Sequence, residues 1–96
     1  MWILETTDPA VEHMKFRLPA GSVKTIGRST SAQFIVDVAL VSRLHCQLTA
    51  AADSIEVKDL DSTNGTFVNG KRVQTAQLSA GDTLGVGRCE LIVSRA

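Results

Sequence analysis

Thr66-Phe67-Val68-Asn69-Gly70-Lys71-Arg72-Val73 predicts a β-hairpin, and it carries the strongest short-range hairpin signal in the sequence. Two strand-forming runs flank the dipeptide Asn69-Gly70. Both central residues of a type I′ turn need a positive φ, which Asn and Gly adopt more readily than other residues. The segment is therefore predicted to form two antiparallel strands joined by a tight turn.

Short strand patterns recur on the N-terminal and C-terminal sides of this hairpin. Between His13 and Leu18, apolar Met14, Phe16 and Leu18 alternate with polar residues, which is the period of a half-buried strand. Similar runs are predicted at residues 1–4, 23–26, 34–38, 45–49, 55–60, 83–86 and 90–93. No window keeps a helical period over three turns. About ten short strands separated by turns predict an all-β sandwich.

Length and charge limit the classes of function. The chain has 96 residues, so residues 1–96 are predicted to form a single domain. Ten basic residues balance ten acidic ones, so no overall field attracts nucleic acid or an anionic membrane, and neither is an expected partner. A site for an anion therefore needs a local positive potential. No apolar run is long enough for a signal peptide or a membrane span.

The cysteines and histidines do not predict a metal site or a cofactor. Cys46 and Cys89 form no C-x-x-C pair, although the sequence leaves open whether they pair with each other. Cys46 directly follows His45, so the two side chains would face opposite ways on a strand. His13 is the only other histidine, and it is distant in sequence. The lack of a disulfide framework favours an intracellular location.

Three polar loops contain the candidate binding residues. One begins at Gly27-Arg28, the second contains Ser42-Arg43, and the third spans 59–66. A phosphate dianion needs guanidinium, hydroxyl and backbone N–H donors, and Arg28, Ser42 and Arg43 supply the side-chain ones. Loops that are far apart in sequence gather at one end of a sandwich, so we expect these three to converge.

These loops and the hairpin turn carry four motifs in a recognisable order. Gly27-Arg28, Ser42-Arg43-Leu44-His45, Thr63-Asn64-Gly65 and Asn69-Gly70 resemble the G-R, S-x-x-H, T-N-G and N-G motifs of the forkhead-associated (FHA) domain family. The match extends over nearly the whole chain. The resemblance implies a two-sheet β-sandwich of about eleven strands, with a binding site on loops at one end. It also implies recognition of a phosphothreonine-containing protein or peptide.

The resemblance further implies a role for each motif residue that meets the ligand. Arg28 would bind the phosphate and help to hold the peptide backbone. Ser42 would donate its hydroxyl to a phosphate oxygen, and Arg43 would be a second cationic contact. Thr63 and Asn64 would meet the peptide, with the Asn64 amide bonding the backbone just after the phosphothreonine.

Other motif residues would support the site without touching the ligand. His45 would brace the loops of the site. The residues implied to shape the backbone are Gly27, Gly65, Asn69 and Gly70. Lys71-Arg72 is interpreted as a solvated hairpin edge.

A narrower resemblance concerns the N-terminus. Met1-Trp2-Ile3-Leu4-Glu5, together with Val57-Lys58-Asp59-Leu60-Asp61, is similar to the N-terminal domain of nibrin-type DNA-repair proteins. It implies a role in DNA-damage signalling and a nuclear rather than cytoplasmic location. A monomeric chain that is part of a larger protein is also expected.

Two other classes of function are left open. The chain could be an assembly or oligomerisation module that recognises an unphosphorylated partner through a sheet face or edge. A hydrolase pair of Ser42 and His45, oriented by Asp59 or Asp61, is conceivable. The chain lacks a G-x-S-x-G nucleophile elbow, and Gly85-Val86-Gly87-Arg88 lacks the Lys-Ser/Thr ending of a nucleotide loop. We therefore predict a binding module rather than an enzyme.

Overall fold

The computed structural model describes residues 1–96 and contains eleven β-strands and no helix. The strands are β1 (Trp2–Thr6), β2 (Lys15–Leu18), β3 (Val23–Gly27), β4 (Phe34–Ile35), β5 (Cys46–Ala50), β6 (Ile55–Asp59), β7 (Thr66–Val68), β8 (Lys71–Val73), β9 (Thr75–Leu78), β10 (Thr83–Val86) and β11 (Cys89–Arg95). The prediction of an all-β, two-sheet sandwich is confirmed. The chain has no helix that could cross a membrane.

The strands form two sheets. The first has the order β2-β1-β11-β10-β7-β8 and the second the order β4-β3-β5-β6-β9. All neighbours are antiparallel except β3 and β4, which pair in parallel. The first and last strands, β1 and β11, pair over five positions inside the first sheet, so both chain ends are held in the sheet.

The alternation in the sequence determines which side chains enter the core. In β6, Ile55, Val57 and Asp59 are buried while the residues between them are exposed. In β2, Phe16 and Leu18 face inward, as predicted. The two sheets enclose one cluster of 18 buried apolar residues, and Phe16 stacks on Phe34 at 4.7 Å between ring centroids.

The hairpin turn has the predicted backbone conformation. Asn69 and Gly70 have φ values of 52° and 82°, the two positive angles of a type I′ turn. The Asn69 Oδ1 accepts the backbone N–H of Thr83 at 2.9 Å, and its Nδ2 donates to Asp82 at 3.1 Å. These bonds attach the turn to the start of β10.

One strand was missed in the sequence analysis, and another is shorter than predicted. Strand β9 was missed, because Thr75-Ala76-Gln77-Leu78 contains no aromatic and only one β-branched residue. Strand β4 ends at Ile35 and does not continue to Val38. Beyond Ile35 the chain leaves the edge of the sheet and continues toward the loop that contains Ser42.

Candidate functional site

The end of β3 is joined to the loop before β5 by backbone hydrogen bonds. The N–H of Arg28 donates to the carbonyl of Ser42 at 2.9 Å, and the N–H of Ser29 donates to that of Arg43 at 3.1 Å. Gly27 permits this approach, since a Cβ at its position would lie 2.0 Å from the Arg43 carbonyl oxygen. Only glycine fits at this position, which gives a steric explanation for the glycine before Arg28.

The loop between β6 and β7 joins the same place through side chains. Ser42 Oγ accepts the backbone N–H of Thr63 at 3.1 Å, across 21 residues of sequence. Asn64 Nδ2 donates to the carbonyl of Leu40 at 3.0 Å. The three loops predicted to converge therefore do converge.

His45 is fully buried and connects two of these loops. Its Nδ1 lies 3.0 Å from the backbone N–H of Ser42 and must accept that hydrogen bond. The proton is therefore on Nε2, which donates to the Gly65 carbonyl at 2.8 Å. Both ring nitrogens are bound to backbone groups, so His45 is not placed to take a proton from the Ser42 hydroxyl. This geometry gives the hydrolase hypothesis no support.

A buried polar network beneath the third loop was only partly foreseen. Ser62 and Thr66 donate their hydroxyls to Asp59 at 2.5 and 2.7 Å, and the Ser62 N–H donates at 3.1 Å. Ser62 Oγ in turn accepts the N–H of Gly65 at 3.0 Å. Burial opposes ionisation of Asp59, but these hydrogen bonds outweigh it and hold its pKa below the usual value. The alternation of β6 pointed to an inward Asp59, whereas nothing in the sequence pattern singled out Ser62.

The two cysteines are buried free thiols that do not form a disulfide. Burial, and to a smaller extent the charge of Asp59, raises the pKa of Cys46 to about 12. Burial raises the pKa of Cys89 to about 11. Neither residue is a reactive thiolate at neutral pH.

An open cleft of about 550 Å³ lies where the three loops meet. All five residues predicted to contact the ligand line it: Arg28, Ser42, Arg43, Thr63 and Asn64. The only ion pairs in the chain are His13–Glu5 and Arg95–Asp53. Neither arginine of the cleft therefore has a carboxylate oxygen within 4.0 Å. Both guanidinium groups are thus free to bind an external anion.

The cleft is also lined by four residues to which the motifs assign no ligand contact: Leu40, Val41, Leu44 and Asp61. Leu40 and Leu44 are about half exposed there, and Asp61 contributes a carboxylate. Leu40 has a φ of 71°, which is unusual for a leucine. An exposed leucine in a strained backbone conformation is a signal of function that no local pattern in the sequence carries.

Gly87 packs closely against the backbone of the strained Leu40. A Cβ on Gly87 would lie 2.6 Å from the Leu40 carbonyl carbon, and the N–H of Arg88 donates to the carbonyl of Ala39 at 3.1 Å. Gly87 and Arg88, which end the segment Gly85-Val86-Gly87-Arg88, therefore pack against the loop before β5.

The support residues divide into two groups. Gly27, His45 and Gly65 lie at contacts that hold the loops of the cleft together. Asn69 and Gly70 form the hairpin turn at the other end of β7 from Gly65, and they do not line the cleft. Lys71 and Arg72 are exposed on the edge strand β8, as interpreted from the sequence, and the Arg72 side chain also packs on Gly65, where a Cβ would lie 2.7 Å from its Nε.

A comparison with known protein families agrees with the fold and the converging loops described above. A family model described as the FHA domain matches residues 24–87. The protein FhaA of Mycobacterium tuberculosis, an FHA domain-containing protein, is 41% identical over 78 residues. The ABC transporter ATP-binding/permease protein Rv1747 of the same organism is 40% identical over 75 residues. The matches cover 81% and 78% of this chain but only 15% and 9% of those proteins.

A solved structure also has the same fold along the whole chain. An FHA domain studied for phosphothreonine-dependent FHA domain interactions superposes with a TM-score of 0.88 at 35% identity. The superposition covers 99% of this chain and 96% of that one. The two sequence relatives are mycobacterial, and neither is a nibrin-type repair protein. The narrower resemblance inferred from residues 1–5 and 57–61 is therefore not supported.

Proposed function

Because this chain belongs to the forkhead-associated (FHA) domain family, we propose that its cleft binds a phosphothreonine and the adjoining backbone of a partner protein. The observation that carries the proposal is the convergence of five side chains from three loops on one open cleft. Two of them are arginines without an acidic partner in the chain.

The phosphate would lie between the two guanidinium groups and the Ser42 hydroxyl. Arginine presents parallel N–H donors that match phosphate oxygens. Ser42 Oγ accepts the N–H of Thr63 through one of its two lone pairs. Its own O–H makes no hydrogen bond within the chain, so it is free to donate to a phosphate oxygen.

Asn64 and Thr63 would hold the peptide backbone. One N–H of the Asn64 amide is engaged by Leu40, which fixes the side-chain rotamer. The second N–H and Oδ1 have no partner in the chain, so the amide can both donate to and accept from an extended peptide. This is the pairing expected for the residue just after the phosphothreonine.

The magnitudes are consistent with a reversible interaction. Three charge-assisted hydrogen bonds at about 1.5–3 kcal/mol each provide several kcal/mol of gross binding energy. Ordering the peptide removes part of this. A net near −8 kcal/mol corresponds to about micromolar affinity. The unphosphorylated peptide lacks the dianion and would lose most of that energy.

Calorimetric titration tests the proposal with paired phosphorylated and unphosphorylated threonine peptides. The Arg28→Ala and Ser42→Ala variants should lose most of the affinity for the phosphorylated peptide. Arg17→Ala is the matched control, because Arg17 is exposed on β2 and lies outside the cleft. Equal binding by wild type and both cleft variants would show that the site is elsewhere.

Several expectations about the wider role stay predictions. The partner is proposed to be a phosphoprotein, and the chain is proposed to act as a binding module rather than an enzyme. A monomeric state, membership of a larger protein and an intracellular or nuclear location are further predictions. The two reported relatives do not support a role in DNA-damage signalling.

A further inference from the structure

A second concave surface shares a chain segment with the cleft. It is a groove of about 490 Å³ between the β1–β2 connection and β4. Asp37 and Val38 line this groove, whereas Leu40 and Val41 line the cleft. The two binding surfaces are therefore connected through residues 37–41.

The groove is mainly apolar and lies at the edge of a sheet. Its apolar side chains are those of Val11, Met14, Ile35 and Val38, with Ala10 beside them. Ile35 is 41% exposed although it is a large aliphatic residue. Strand β4 pairs only with β3, so its other edge has no neighbouring strand. Such an edge can accept an added strand from another polypeptide.

The polar part of the groove is negatively charged. Glu12 and Asp37 line it, and Asp8 lines the adjoining depression that shares residues 10–12 with the groove. None of these three carboxylates forms an ion pair within the chain, and no lysine or arginine lines the groove. The charge is opposite to that of the arginine cleft, so the groove does not suit a second phosphate.

We propose that this groove binds an extended, unphosphorylated segment of a partner protein in which an aliphatic side chain lies beside a lysine or arginine. The aliphatic side chain would cover Ile35 and Met14, and the cation would pair with Glu12 or Asp37. The free edge of β4 would supply backbone hydrogen bonds. Because residues 37–41 run from the groove directly into the cleft, one partner that carries both a phosphothreonine and such a segment would bind at two points.

Selection from a phage-displayed library of random peptides tests the proposal, because these peptides are not phosphorylated. Peptides enriched on the wild-type chain should combine an aliphatic residue with an adjacent lysine or arginine. They should bind the double variant Glu12→Lys/Asp37→Lys about tenfold more weakly or worse. The control Glu56→Lys/Glu90→Lys makes the same charge change at exposed strand positions outside the groove and should bind as wild type does.

Amide chemical shifts of the isotope-labelled chain then locate the bound peptide. Peptide binding should change the amide chemical shifts of residues 10–14 and 35–38. The Ile35→Ser variant should show smaller changes. Failure to enrich any peptide that prefers wild type to the double variant would overturn it, as would shifts confined to other residues. Shifts in the groove that depend on protein concentration without peptide would instead assign it to a second copy of the chain. A phosphothreonine peptide is also titrated into the groove variants. This measurement distinguishes a failure of the groove proposal from a failure of the proposal for the cleft.

Discussion

His45 donates its Nε2–H to the backbone carbonyl of Gly65 over 2.8 Å, across 20 residues of sequence. The same ring accepts a backbone N–H from Ser42 through Nδ1. One buried side chain thus satisfies a backbone donor of one cleft loop and a backbone acceptor of another. The relative position of Ser42 and the Thr63-Asn64-Gly65 turn depends on it.

His45→Ala should lower the free energy of unfolding by about 2–4 kcal/mol, because it leaves two backbone groups without partners and opens a cavity. Urea denaturation measures this loss, and calorimetry should show weaker phosphopeptide binding as the two loops separate. His13→Ala is the control, since His13 is exposed and lies outside the cleft. Unchanged stability in His45→Ala would contradict the bridging role.

Gly27→Ala should disturb the cleft through the backbone. The new Cβ would lie 2.0 Å from the Arg43 carbonyl oxygen, so the loop bearing Arg43 must move. We expect a loss of stability of about 2–4 kcal/mol and a marked loss of phosphopeptide affinity. Gly81→Ala is the comparison: its φ of 94° is unfavourable, but no atom lies within 4 Å. It should lose only about 1 kcal/mol and keep its affinity. Similar losses in both variants would show that the contact with Arg43 is unimportant.

Leu40→Gly should separate stability from recognition. The left-handed backbone of Leu40 costs about 1–2 kcal/mol relative to glycine, while glycine adds about 0.5–1 kcal/mol of unfolded-state entropy. Stability should therefore stay equal or rise slightly. The exposed isobutyl group is lost from the cleft, so affinity should fall for phosphopeptides that carry an apolar residue near the phosphothreonine. Titration of two peptides that differ only in that residue checks this, and an equal change for both would contradict it.

Asp59 should contribute stability that depends on pH. Its pKa is lowered in the folded state, so the unfolded chain binds the proton more readily. The contribution is present above the unfolded value near pH 4 and is lost as pH falls through the lower folded value. The stability difference between wild type and Asp59→Asn should therefore narrow below about pH 4. Urea denaturation at a series of pH values measures it, and a difference that is constant with pH would contradict the prediction.

The free energy of unfolding of the Asp59→Asn variant should still decrease at acid pH, because a second aspartate also has a lowered pKa. The backbone N–H of Ser79, and then the Asn69 amide, hold the pKa of Asp82 below its usual value. Asp59→Asn/Asp82→Asn should therefore depend less on pH than either single variant.

Asn69→Ala should lower stability by about 1–2 kcal/mol without changing phosphopeptide affinity. The variant loses two hydrogen bonds to the start of β10 and places alanine at a φ of 52°. The turn does not line the cleft, so binding should be unaffected once the protein is folded. Thermal unfolding and calorimetry measure the two effects, and a parallel loss of affinity would place the turn within the binding site after all.

Much of the site could be predicted from residue types in order along the chain. Arg28, Ser42 and Asn64 were selected because a phosphate and an extended backbone need those donors, and the motif spacing supported them. Their convergence followed from the general behaviour of sandwich loops. Leu40 and Ser62 could not be found this way, because a strained φ and a buried hydroxyl contact have no signature in neighbouring residues.

Local sequence patterns were sufficient to predict the class of fold, the Asn69-Gly70 turn and the inward faces of β2 and β6. Each depends on short-range preferences: the period of two along a strand and the positive φ of the turn residues. Three features became visible only in the folded chain: His45 joins Ser42 to Gly65, both arginines of the cleft stay unpaired, and an apolar groove with an acidic part lies beside the cleft. These features depend on which strands pair and how closely loops approach, and such distances between residues far apart in the chain are not set by local periodicity.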